Sequence, residues 1–305
     1  MTIIEPKSYA VISCDAPNED YPYWQINKQY KSGDMVIYEN RLYKAAGDFT
    51  SENTPLIEIN NFVDFGAVNS MAFADNMVSS QSKKETATIH DYMDIEIDLK
   101  EYVDTFAFIN LNAYKVDFVG YDFRNVKSWY DYFFKPFTHS TTKRDVENWY
   151  EYFFKEISVK NEYIFTLPKK IMGKITIRIF GINGFAGLGM LVAGTSFYIG
   201  ETLRGAQVGA VSYTKKITDE WGNTYIRPGR TAKKNNYEVV IDTIRIDNIT
   251  AALNKALERG LCVFVGDSRD DGYDALTITG ILTEFDLVIS TLDKSELTIG
   301  IEGVI

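Results

Sequence analysis

The sequence predicts a mainly β protein with some α, of the α+β class. Three observations predict it. Runs rich in Val, Ile, Tyr, Phe and Thr recur along the chain, separated by clusters of Gly, Asn, Asp and Ser, the pattern of strands and turns. One segment departs from that pattern: Ile249, Ala252, Leu253, Ala256 and Leu257 stand at i, i+3, i+4, i+7 and i+8, on one face of a helix. That helix is followed by an unbroken apolar run, Leu261–Val265, which reads as a strand buried on both faces. The expected layout is an arm over 1–20, a small β module over 21–57, a β-sandwich-like unit over 66–180 and an α+β assembly unit over 181–305.

Composition narrows the function. With 305 residues, 45% of them hydrophobic, the chain has material for two or three packed units. Its net charge of −10 has the wrong sign for general binding to a phosphate backbone, so no nucleic-acid partner is expected. The run Arg227–Lys234 is basic and reads as a solvated loop beside a hairpin. The 20 Tyr and 19 Phe suit sheets and wet protein–protein surfaces, because Tyr joins an apolar body to a polar tip. Two cysteines, Cys14 and Cys262, make neither a disulfide framework nor a metal cluster. His90 and His139 lack a nucleophile motif nearby, so neither a His-based zinc site nor a Ser-His-Asp triad is expected.

In chain order, Met1–Lys7 lacks the charged-then-apolar layout of a signal peptide, which predicts synthesis and folding in a cytoplasm. One short strand is expected near Tyr9–Ser13, and Asp15–Asp20 reads as a linker. In the module, Ser32-Gly33-Asp34 is a turn. Met35–Tyr38 and Arg41–Ala45 form a hairpin closed at Glu39-Asn40. Trp24, Tyr30, Gly33-Asp34, Val36, Tyr38, Tyr43, Ala45 and Pro55 together resemble the small chitin-binding type of carbohydrate-binding module. The resemblance covers about 35 residues and implies sugar stacking on exposed aromatic rings. This chain departs from the family just after Tyr43-Lys44-Ala45, where tryptophans are usual and Ala46, Gly47, Asp48 and Phe49 stand instead. Trp24 and Phe49 remain as stacking candidates, with Tyr38 and Tyr43 as further aromatic contacts. The other reading of the module is a docking or spacer unit.

Residues 58–80 read as irregular. Thr86–Leu99, Asp104–Ala113 and Val116–Asp122 read as strands, then Tyr163–Leu167 and Lys174–Phe180. Between them lies a duplication: Val126–Lys135 recurs as Val146–Lys155, which places Trp129 in step with Trp149. These aromatic segments either reach a neighbour or bury their own rings. The window Ile179–Gly200 holds no charged residue and is long enough to span a bilayer. It also holds Gly181, Gly184, Gly187, Gly189, Gly194 and Gly200, and so reads as buried strands joined by tight turns rather than a membrane helix. Ala206–Lys216 reads as a strand. Asp219–Thr224 reads as the tip of a projecting hairpin, with Trp221 offered to a partner. In the last part Asn236–Ile246 is a strand, Asp247 or Asn248 caps the helix, and Gly260 stops it. Ala275–Ser290 and Glu296–Val304 are further β runs.

Two site-like patterns fail on spacing. After Gly187-Leu-Gly189 the third glycine of a dinucleotide loop falls on Val192. In Asp267–Gly272 a calcium loop would need an acid at Arg269 and a Glu at Ile278. No cofactor and no metal are expected.

Beyond Trp149 a second resemblance emerges. It is carried by Trp149-Tyr-Glu-Tyr-Phe-Phe154, Gly187-x-Gly-Met-Leu-Val-Ala-Gly194, Tyr198-Ile-Gly200-x-Thr202 and Gly205-Ala-Gln-Val-Gly209. It continues in Val211-Ser-Tyr213, Lys216-x-x-Asp219-Glu-Trp-Gly-Asn-Thr224, Gly280-Ile-Leu-Thr-Glu-Phe285 and Leu297-Thr-Ile-Gly-Ile-Glu-Gly303. This stretch resembles the sheath-like tail proteins of short-tailed bacteriophages. The resemblance implies a non-enzymatic virion protein of the tail, assembled in the host cytoplasm. Its implied partners are copies of itself and other tail proteins such as the tail tube, adaptor or portal, with host attachment through a surface glycan as a second role. The alternative is a glycan-binding or glycan-degrading host-recognition protein that uses residues 21–57.

Overall fold

Strands make up most of the chain, and one clear helix packs on them. The computed structural model describes residues 1–88, 90–119, 138–140, 142–143, 149, 158–159, 161–267 and 274–304. The two copies of the aromatic duplication, and with them Trp129, lie outside the described residues apart from Trp149. Most of the acidic turn at Asp267–Gly272 lies outside them as well.

Two strands, not one, open the chain: β1 (Thr2–Pro6) and β2 (Tyr9–Cys14). The small module follows with β3 (Gln29–Tyr30), β4 (Met35–Tyr38), β5 (Arg41–Ala45), β6 (Phe49–Thr50) and β7 (Phe62–Ala67). The β4–β5 hairpin forms where expected. Glu39 and Asn40 both take positive φ, 46° and 62°, the requirement of a tight primed turn. Strand β7 pairs with β5, so part of the stretch expected to be irregular completes a three-stranded sheet.

A 3-10 turn, Asn69–Ala74, leads to β8 (Ser82–Glu85). Then comes β9 (Tyr92–Asn112), a single strand of 21 residues where two were expected. Lys100, Glu101 and Tyr102 resemble a break in sequence but are the exposed bend of this strand. After β10 (Lys115–Val119), β11 (Thr138–Ser140), β12 (Thr142–Lys143) and β13 (Ser158–Val159) comes β14 (Glu162–Phe180), again one strand where two were expected. β14 pairs with β9 along nearly all its length, and its register shifts between Thr166 and Ile171, around Pro168, which has no N–H for the ladder. A register break lets long strands bend together and turn a corner. Residues from both arms of the bend, Met93, Ile97, Phe106, Phe108 and Ile177 among them, share one core.

The uncharged window becomes a turn at 181–184 followed by one strand, β15 (Phe185–Tyr198). Its residues 186–194 are buried without interruption. Gly194 lies against the backbone of Glu5, where a Cβ would collide. Next come β16 (Glu201–Thr202), β17 (Gln207–Ser212), β18 (Lys215–Thr218), β19 (Thr224–Arg227) and β20 (Thr231–Asp242). The chain closes with α1 (Ile246–Arg259), β21 (Leu261–Val265), β22 (Thr277–Val288) and β23 (Lys294–Gly303).

The helix begins earlier than its capping residues suggest. A 3-10 turn at Thr243–Arg245 runs into it, and neither Asp247 nor Asn248 caps it: Arg245 stands at the N-cap without a side-chain bond. Its stop is Gly260, at φ 84°, whose N–H donates to the Ala256 carbonyl. Of the five residues on the expected face, Ile249, Leu253 and Ala256 are buried, Ala252 is half-buried and Leu257 is exposed. The three buried ones share a core with Val239, Ile241, Leu297 and Ile299.

One sheet runs β11-β10-β14-β9-β15-β1-β21-β22-β23-β20-β16, with β2, β8 and β17 pairing beside it on β9, β15 and β20. Strands from both sides of residue 180 therefore lie in the same sheet. Its middle is β1, antiparallel both to β15 and to β21, with Ile3 and Ile4 buried. No helix among the described residues is long and apolar enough to cross a membrane.

Candidate interaction surfaces

Six aromatic residues of the small module pack together at its centre. Tyr30, Tyr43 and Phe62 are buried at its centre, and Trp24, Tyr38 and Phe49 pack against them half-buried. Trp24 meets Tyr38 edge-on, with ring centres 5.3 Å apart, and Phe49 meets Phe62 in the same way at 5.0 Å. The Trp24 Nε1–H donates to Ser51 Oγ at 3.0 Å, and Ser51 Oγ donates in turn to Glu58 Oε2 at 3.1 Å. Burial pushes the Glu58 carboxyl up. The backbone N–H groups of Asn53 and Glu52, which donate to Oε1, outweigh that and hold it below the usual carboxylate range. These aromatics close the module's own core. Of the four site residues expected here, Tyr43 is buried and the other three are half-buried. Tyr23, outside the expected set, is 71% exposed.

The β18–β19 hairpin is the opposite case, with every residue of both strands exposed. Its turn is held by Asp219, whose carboxylate accepts the N–H groups of Trp221 at 3.0 Å and Asn223 at 2.7 Å. The Asn223 side-chain amide also donates to it at 3.0 Å, and that bond, the largest influence, keeps the Asp219 carboxyl below its ordinary range. Gly222, at φ 85°, completes the turn. Trp221 at the tip is 88% exposed, in the position expected for it. Strand register puts Lys215 opposite Arg227 and Ile217 opposite Tyr225, so these four share one face. At the base, the Tyr213 hydroxyl donates to Glu302 Oε1 at 3.0 Å, which holds the phenol above its usual range, and Arg230 reaches Ser79 Oγ at 2.5 Å.

Trp149 is 79% exposed. Trp24, Tyr38, Tyr43 and Phe49 thus share the module's core, whereas Trp221 stands exposed at the hairpin tip. Sequence reasoning found Trp221 from the turn signature but took Arg227 as the start of a basic loop and did not pair it with Lys215. Their signal was two cations at equal distance from the turn centre, which a hairpin register brings face to face.

Elsewhere, a groove of about 570 Å³ beside β1 is lined by Lys7, Lys100, Glu101 and Lys170. Its cations are internally paired: Lys7 with Glu101 at 3.4 Å, Lys100 with Asp98 at 2.5 Å, Lys170 with Asp104 at 3.9 Å. Among the described residues no group of three or more His, Cys, Asp and Glu side chains is placed to hold a metal ion. Burial pushes the thiols of Cys14 and Cys262 up to about 11. Comparison with protein-family models, curated proteins and solved structures finds no match to this chain.

Proposed function

We propose that this chain is a structural protein of a bacteriophage tail, a sheath or tail-decorating component present in several copies, and not an enzyme. The observation that carries this reading is the β18–β19 hairpin, a two-stranded element whose strand residues are all left exposed by the described residues. An isolated hairpin is marginal in water, so one that exposes Ile217, Trp221, Tyr225 and Ile226 gains from a surface to lie on. The continuous sheet suits a rigid body repeated around an axis. In this reading residues 181–305 form the assembly unit, the middle strands stiffen it, and the small module is a spacer or docking unit that contributes to host-surface contact. Virions carrying labelled antibody against this chain are expected to show it along the tail in multiple copies, and the purified protein to sediment above monomer mass when concentrated. A strictly monomeric protein absent from virions would overturn the proposal.

The glycan-binding alternative has narrower support, since the module's rings are engaged with each other and Tyr23 is the ring most open to a ligand. Binding on a glycan array that disappears in Tyr23→Ala but survives in Phe49→Ala would favour it.

A further inference from the structure

The hairpin's charge identifies what covers it. Between Tyr213 and Lys234 the chain carries Lys215, Lys216, Arg227, Arg230, Lys233 and Lys234 against only Asp219 and Glu220, although the whole chain has a net charge of −10. Arg230 and Lys233 are engaged at the base, with Ser79 and with Glu162. Lys215 and Arg227 stand directly opposite each other, both exposed, with no ion-pair partner among the described residues. Like charges facing across a strand pair repel, and a nearby carboxylate relieves the repulsion. The hairpin therefore presents an Ile217–Tyr225 apolar pair beside an unneutralised cation pair.

A surface of the matching kind lies on the same chain. One face of β20, β22 and β23 packs on α1, and the other is open. Register brings Glu238 and Asp286 beside Thr298, Glu296 beside Val240 and Val288, and Glu284 beside Gly300. Glu238, Glu284, Asp286 and Glu296 are all exposed, and none has an ion-pair partner among the described residues. Val288, 59% exposed, and half-buried Val240 supply apolar ground among them. The hairpin does not lie on this face in its own subunit, because all eight of its strand residues are exposed.

We infer that the basic hairpin of one copy docks on the acidic outer face of β20, β22 and β23 in a second copy. This rests on the multi-copy reading above and specifies its contact. The two surfaces differ, so the contact is head-to-tail, and repeating it gives a ring or an open helical array rather than a closed twofold dimer. Trp221 at the tip anchors the contact, and the charge pairs set its orientation.

The test is sedimentation of the full chain at about 0.05 M and about 1 M NaCl, where the screening length falls from more than 10 Å to about 3 Å. Wild type is expected to associate at low salt and to dissociate at high salt. Two charge-reversed proteins are compared with it, K215E/R227E in the hairpin and E284K/D286K on the face. Each alone is expected to lose at least about a hundred-fold in association, while their mixture, and a chain carrying all four changes, recover it. Unchanged circular dichroism and melting show that the variants fold, as exposed substitutions should. Association that persists in either variant alone overturns the docking assignment and leaves assembly to another surface. Wild type that remains monomeric at every concentration and salt overturns the docking assignment and the multi-copy reading together.

Discussion

Single residues carry most of the constraints that can be tested directly. At Gly194 an added Cβ would strike the carbonyl of Glu5, so Gly194→Ala must push β1 away from β15. A loss of about 1–3 kcal/mol is expected, read as a lower urea midpoint at unchanged slope. Trp24→Ala removes an edge-on ring contact and the Nε1–H bond to Ser51, a loss of roughly 2 kcal/mol local to the small module. Faster proteolysis within residues 21–67 checks it. The thiols give a pH prediction. A group whose folded pKa lies above its unfolded value adds stability that is complete below the unfolded value and is lost as pH rises through the folded one. Cys14 and Cys262, raised to about 11 from about 9, should therefore weaken the fold between those two values, and both should resist alkylation at pH 8 until the chain is unfolded. Neither Cys→Ser variant should show the same share of that alkaline loss. The burial of Tyr43 beside exposed Tyr23 marks where sequence reasoning stops: alternation separates two faces of a strand without saying which of them meets the core.

At the level of elements, local signals were legible and distant pairing was not. The Glu39-Asn40 turn, the helical face from Ile249 to Ala256 and the tip at Trp221 are each fixed by a few neighbouring residues, and each was readable. Strands β9 and β14 were read as two apiece because Lys100–Tyr102 and Pro168–Lys170 look like turns. In the fold they are matched irregularities in two strands that bend together, a property of the pair. The helix start was missed because Thr243–Arg245 winds into a 3-10 turn ahead of the usual capping residues. A graded pair of substitutions tests the helix face. Leu253→Ala, at a fully buried position, should cost about 2–5 kcal/mol, whereas Leu257→Ala, 39% exposed, should cost under about 1 kcal/mol by thermal unfolding.

For the whole molecule, composition already pointed away from nucleic acid and toward sheets, and the described residues are mostly strand with one clear helix. The candidate contact surfaces were only half legible. A hairpin announces itself in sequence, but the four carboxylates of the outer face are scattered over β20, β22 and β23 and become a patch only once register aligns them. The head-to-tail contact argued above joins a basic hairpin to an acidic sheet face, so ionic strength is expected to set the size of the assembly.

The central position of β1 has a kinetic consequence. Thr2–Pro6 leaves the ribosome long before either β15 or β21 has been synthesised, so it waits without a partner through most of translation. Pairings that distant in sequence slow folding, and a nascent or prematurely released chain carries Ile3 and Ile4 bare. Products of interrupted synthesis should therefore need a chaperone or aggregate, whereas a chain that reaches Val265 has the means to close its own middle.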